Sequence, residues 1–203
     1  MIMELMDVIR TRRSVRRYKS DPVAKEVLWE LVQAATLAPN GANSQQWDFV
    51  FVTEPEKLDR VAEIIGMSHR QYFGTARTDS SSGERLDKIV TMYTNLRKAP
   101  VFVIFCVNKR NVLLQPDYQK YIDLWAQHSI AAAIENFFLA AWNHGLGTVW
   151  MGTPSWRSDE LKKLLNIPED VEIVAASPIG YPDETPKMRP RLPLEDVTHF
   201  DKW

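Results

Sequence analysis

Leu5, Val8 and Ile9 fall at i, i+3 and i+4, which predicts a short amphipathic helix over residues 3–11. A polar break, RRSVRRYKSD, follows. Pro22 then opens a second helical pattern with a stripe of Val27, Leu28, Leu31, Val32 and Ala35, and Pro39 stops it. The run WDFVFV (47–52) is aromatic and β-branched and predicts a buried strand. Thr53 with Glu56 three residues later has the spacing of a capping box, so a third helix is expected to about Ile65. From Gly66 to Glu84 the periodicity is weak, with Ser80, Ser81 and Ser82 in series, and a long loop is expected. Helical spacing returns from about Arg85 to Arg97, and Pro100 ends it.

The second half opens on VFVIFCV (101–107), apolar at every position and so expected to be a central strand. The longest helical pattern runs from Lys120 to His144, closed by Gly145. Its small residues Ala131, Ala132, Ala133, Ala140 and Ala141 suit close helix packing or a subunit interface. TVWM (148–151) is a short strand candidate, Asp159 to Leu165 a short helix, and VEIVAASPIG (171–180) a final strand. Beyond Gly180 comes a polar tail punctuated by Pro182, Pro186, Pro190 and Pro193. Such a segment cannot build a core of its own and either dangles or lies extended across another surface. No internal repeat or linker divides the chain, so residues 1–203 are expected to form a single domain.

Composition narrows the class. Of 203 residues, 45% are hydrophobic and 25% charged, which excludes wholesale disorder and collagen-like repeats. Lys and Arg number 25 against 26 Asp and Glu, a net charge of -1, which argues against a polycation built for nucleic acid. Cys106 is the single cysteine, so there is no internal disulfide and no CxxC motif. Glu4 and Asp7 interrupt what would be the apolar core of a signal peptide, and no apolar run is long enough to span a membrane. A reducing cytoplasm is the compartment expected.

The densest chemical signal is Arg10, Arg12, Arg13, Arg16 and Arg17 within eight residues. It reads as a solvated basic turn, a nucleic-acid arm or a phosphate clamp. Arginine forks match phosphate oxygens in pairs, and Ser14 adds a hydroxyl donor. PNGANSQQW (39–47) then offers Asn43 and Gln45, whose amides carry both donors and acceptors, around the turn Asn40-Gly41. Taken alone that is turn chemistry, but beside a basic clamp it suits the edge of a heterocycle. GLGTVWMG (145–152) misses the dinucleotide fingerprint, and no P-loop is present. His69, His128, His144 and His199 lie at no metal spacing, and Cys106 reads as an inert core thiol.

Taken together, RRSVRRY, APNGANSQQW, GLGTVWMGTP and SPIGYPDETPKMRPRLPLEDV, in this order over nearly the whole chain, resemble the flavin-dependent nitroreductase family. The resemblance implies an α+β fold with a mixed sheet flanked by helices. It also implies a homodimer with FMN at the subunit interface and a C-terminal tail over the partner. On the matching positions, Arg12, Ser14 and Arg16 fall on the family's opening flavin-binding motif; Arg12 with Arg13 would meet the FMN phosphate, and Arg16 would approach the N1 and C2-carbonyl side of the ring as the catalytic electrostatic group. Asn40, Gly41, Asn43 and Gln45 match the loop that borders the ring from the partner chain. Met151 and Gly152 match the segment facing N5, and Arg189 and Arg191 match a basic pair returning to the phosphate.

The implied activity is ping-pong transfer from NADH or NADPH, a transient donor, through FMN to a small acceptor such as a nitroaromatic or quinone. Alternatives on the same scaffold are a dehalogenase, a flavin-breakdown enzyme, or a flavin-binding sensor or store without turnover. No nucleic-acid, membrane or metal partner is expected. Two departures stand out. Gln46 occupies a position where the family often has proline, and the Glu, Tyr and Lys set of the iodotyrosine dehalogenases has no match.

Overall fold

A computed structural model describes residues 4–75, 95–110 and 119–203. Its helices are α1 (Leu5–Thr11), α2 (Lys25–Thr36), α3 (Pro55–Thr75), α4 (Gln119–Asn143) and α5 (Ser158–Leu165). Its strands are β1 (Trp47–Val52), β2 (Val101–Val107) and β3 (Glu172–Ile179), an α+β arrangement. The strands form one antiparallel sheet in the order β1-β2-β3. The one parallel pairing among the described residues is the single bridge between Ser14 and Thr148.

Strand β2 is central and wholly buried, as its continuous apolar run requires. Strand periodicity sends Phe102, Ile104 and Cys106 into one core cluster with Val61, Ile64 and Ile65 of α3. It sends Val101, Val103, Phe105 and Val107 into a second cluster with Leu28 and Leu31 of α2 and Ile134 and Phe137 of α4. The Cys106 thiol is accordingly fully buried, and loss of solvent raises its pKa to about 12.

Several elements differ from the sequence expectation. Helix α1 buries only Val8 of its apolar stripe, leaving Leu5 and Ile9 exposed. Helix α2 begins at Lys25, three residues after Pro22. Helix α3 starts at Pro55, one residue later than a Thr53 cap would place it, and the Leu58 N–H donates to the Glu54 carbonyl. Proline at a first helical position forfeits no bond.

That helix also runs ten residues past Ile65, into the stretch expected to be loop. Gly66 does not break it, and Ser68 is accommodated by donating its hydroxyl to the Ile64 carbonyl at 3.0 Å. The rest of that loop and most of the helix expected from Arg85 lie outside the described residues. Helix α4 closes on Gly145 at φ +73°, with the Leu146 N–H donating to the Ala141 carbonyl. TVWM is not a strand. Gly147 bridges to Gly180 and Met151 to Ala176, so the segment is an irregular edge beyond β3.

Candidate functional site

The arginine segment leaves α1 at Arg12, whose N–H still donates to the Val8 carbonyl. Val15 then anchors it. Its N–H donates to the Thr148 carbonyl at 2.9 Å, and its side chain is fully buried where Gly147 has none. Tyr18 is a second anchor, fully buried, with its hydroxyl donating to the Val15 carbonyl at 2.5 Å. Burial holds that phenol well above its ordinary pKa, so it stays protonated and keeps the bond.

The chain after β3 returns beside this segment. The Lys19 N–H donates to the Tyr181 carbonyl, and the Asp183 N–H donates to the Arg17 carbonyl, both at 2.9 Å. Gly180 makes the close approach possible, since a Cβ there would fall 2.8 Å from Pro100 Cδ and 3.3 Å from the Tyr18 ring. The prolines of the tail then carry it across the arginines.

Between the two segments lies a cavity of about 640 Å³. One wall is Arg12, Arg13, Ser14 and Arg16, and the other is the run from Pro186 to Arg191. The lining thus carries six cations (Arg12, Arg13, Arg16, Lys187, Arg189, Arg191) and no carboxylate. Three of the six are partly engaged, Arg16 through a 3.5 Å bond from its guanidinium to the Ser14 carbonyl. Arg12 lies 3.5 Å from Glu135 of α4, and the Arg13 guanidinium donates to the carbonyls of Arg10 and Arg12 at 2.7 Å each. A cavity of this make-up suits a compact polyanion such as a phosphate.

Six of the twelve residues expected from sequence therefore meet in one place. The other six lie outside this cavity's lining. Asn40 to Gln45 form a turn against α4, where the Gly41 N–H donates to Ser129 Oγ at 3.3 Å. The Asn40 side-chain oxygen accepts from the Gln45 N–H at 3.0 Å, and the Gln45 amide donates to the Asn43 carbonyl at 3.3 Å. Ala42, Asn43 and Gln45 all hold left-handed φ near +50°, a costly set for residues with side chains. Gly41, Ala42, Asn43 and Gln45 are exposed. Gln46, in place of proline, is buried, and its carbonyl accepts from the Asn108 N–H. It ties the loop to the end of β2.

Met151 exchanges both backbone hydrogen bonds with Ala176, which leaves the exposed Gly152 as the backbone this segment presents. Beside it, the Thr153 hydroxyl lies 2.7 Å from His69 Nδ1, which is also 3.3 Å from the Ile65 carbonyl. Burial lowers the His69 pKa, the bond to the Ile65 carbonyl opposes that shift, and the Arg16 charge adds to the lowering. The Arg16 charge thus bears on His69, while Arg16 also lines the basic cavity.

Sequence reasoning passed over Lys187, Met188, His69 and Glu184. Lys187 and Met188 lie among the tail prolines and basic residues already noted, so position alone could have included them. His69 and Glu184 acquire partners only through the fold. Among the described residues no group of three or more His, Cys, Asp or Glu is placed to hold a metal ion. No described helix is long and apolar enough to cross a membrane.

Comparison with known proteins places this geometry. The model of the Nitroreductase family matches residues 9–181. The FMN reductase [NAD(P)H] of Bacillus subtilis (strain 168) is 28% identical over 98% of this chain and 74% of its own length. A BluB-like flavoprotein from Clostridium difficile 630 superposes with a TM-score of 0.78 at 26% identity, covering 98% of this chain and 100% of that one. Oxidized iodotyrosine deiodinase bound to FMN and 3-iodo-L-tyrosine gives a TM-score of 0.78 at 25% identity, covering 98% and 100%.

Proposed function

The chain belongs to the nitroreductase family, and from that premise we propose that it is an FMN-dependent oxidoreductase. It would draw electrons from NADH or NADPH and deliver them, in ping-pong order, to a small acceptor such as a nitroaromatic or quinone. The observation that carries the reading is the cavity itself: six cations and no carboxylate, assembled from segments some 170 residues apart in sequence. That donor set fits the single terminal phosphate of FMN.

In this reading Arg12, Arg13, Ser14, Arg189 and Arg191 hold the phosphate by charge-assisted hydrogen bonds. Bound FMN would supply the hydride chemistry of the reaction. Arg16 holds a fixed positive charge toward the N1 and C2-carbonyl edge, where negative charge accumulates on reduction. Gly152 offers its backbone toward N5. The strained, exposed loop with Asn40, Gly41, Asn43 and Gln45 reaches the ring of a second copy, so the working unit is a homodimer. The exposed apolar side chains of α1 and of the tail supply surface for that contact. The buried, reduced thiol of Cys106 suits a cytoplasmic protein.

The likeness to iodotyrosine deiodinase favours dehalogenation as the second reading. The test is one purification. FMN identified by chromatography at about one per chain, bleached anaerobically by NADH or NADPH, supports the first reading. Predominant FAD, or no flavin after reconstitution, overturns both. Deiodination of 3-iodo-L-tyrosine by the reduced protein, with no turnover of nitroaromatics or quinones, selects the second.

A further inference from the structure

Glu184 stands where the tail leaves the body of the protein. Its Oε1 accepts two successive backbone hydrogen bonds, from the Arg16 N–H at 2.5 Å and the Arg17 N–H at 3.0 Å. Its Oε2 lies 3.5 Å from Arg17 Nε. The side chain is only 18% exposed, against 57% for that of Arg17. Two consecutive amides converging on one oxygen form a small anion nest, here filled by the protein's own carboxylate.

The position of this contact gives it consequence. Residues 181–183 are tied to the arginine segment by the backbone bonds of Lys19 and Asp183. Among the described residues, none of the backbone hydrogen bonds found outside helices and strands involves residues 185–192. Glu184 is thus the last fixed point before Lys187, Arg189 and Arg191 line the cavity. It grips the peptide of Arg16, a residue of the cavity wall.

We infer that Glu184 is a positioning residue, a latch that fixes the cationic wall of the tail against Arg16 and so preorganises the anion cavity before a ligand arrives. An acid so near six cations would weaken anion binding by charge alone. Its negative charge, however, is met by the Arg16 and Arg17 amides and the Arg17 guanidinium, and neither Glu184 nor Arg17 lines the cavity. Fixing the two walls against each other in advance lowers the ordering cost of binding. The cofactor part of this inference rests on the FMN reading above, whereas the latch itself does not.

The experiment uses the full chain with and without FMN. Hydrogen exchange in the ligand-free protein reads the Arg16 and Arg17 amides, and fluorescence titration reads FMN affinity. Glu184→Ala is expected to speed exchange at those two amides at least tenfold and to raise the FMN dissociation constant about tenfold. Glu184→Gln keeps an acceptor oxygen and should recover part of both. If Glu184→Ala does not fold, Glu184→Gln carries the test, with smaller changes of the same sign. Unchanged exchange at Arg16 and Arg17 overturns the latch. Faster exchange with FMN affinity unchanged overturns its role in binding. If wild type holds no FMN, the reading of the cofactor has failed, and the exchange result alone decides whether the latch exists.

Discussion

The Cβ that Gly147 lacks would fall 2.7 Å from Cβ of Val15 and 2.8 Å from both its γ-carbons. The arginine segment can therefore lie flat on residues 147–148 only because position 147 has no side chain. Gly147→Ala must push Val15, and Arg16 with it, out of place. Overpacking of this kind costs about 1–3 kcal/mol. We expect that loss in urea unfolding, and a much smaller cost of the same change in a Val15→Ala background. Equal costs in the two backgrounds would show that the two residues do not compete for the space.

Arg191→Ala and Arg12→Ala test the two walls of the cavity separately. Each charge-assisted hydrogen bond contributes roughly 1.5–3 kcal/mol, so a rise of about 10- to 100-fold in the FMN dissociation constant is expected. Arg12 also faces Glu135 at 3.5 Å. Its loss should therefore be the costlier, since a carboxylate near the site is left without its partner. Unchanged affinity in both variants would place the phosphate elsewhere.

Much of this architecture is legible in the chain. VFVIFCV, apolar throughout, reads as a central strand, and the WDFVFV and VEIVAASPIG runs pair on either side of it. The basic segment and the tail arginines could be matched to a family but not to each other by periodicity. Their meeting depends on close approaches at Gly147 and Gly180, visible only in three dimensions. Helix α3 outruns the expectation because the stretch from Gly66 has weak apolar periodicity, whereas the fold buries Gly66 and Ser68 and lets Ser68 bond to the Ile64 carbonyl. Glu184 and His69 carried no signal because a lone acid and a lone histidine acquire meaning only from their neighbours.

A homodimer is expected from surfaces that the single chain leaves apolar. Leu5 and Met6 of α1, Leu124 and Trp125 of α4, and Leu194 and Phe200 of the tail are all about half exposed or more. A chain ending before Pro182 removes the tail residues together with Glu184, Arg189 and Arg191. It should lose bound FMN and shift toward monomer in light scattering. A truncated chain that stays dimeric with flavin bound would refute the assigned role of the tail, and a monomeric full-length protein would refute the dimer.

His69 predicts a pH dependence of fixed sign. Burial and the Arg16 charge lower its folded pKa from the ordinary 6.5, so the unfolded chain takes up this proton at higher pH than the folded one. The neutral ring's contribution is intact above pH 6.5 and is lost as pH falls from there through the folded pKa. Urea midpoints should drop between about pH 7.5 and about pH 5.5, and drop less in His69→Gln. Parallel losses in the two proteins would assign the pH dependence to other groups.

Arg16→Gln separates redox tuning from binding. Glutamine keeps a hydrogen-bond donor but deletes the charge, so the reduced flavin, which carries more negative charge, loses more than the oxidised one. A difference of about 1.4 kcal/mol corresponds to about 30 mV for a two-electron couple, and a fall in potential of at least that size is expected. The same variant should raise the His69 pKa toward its ordinary value, because the charge that helps depress it is gone. These two measurements act on opposite sides of one residue. A potential that stays fixed while His69 shifts would mean that the Arg16 charge faces Thr153 and not the flavin. If neither moves, solvent screens Arg16 as it would any exposed charge, and the catalytic role assigned to it is lost.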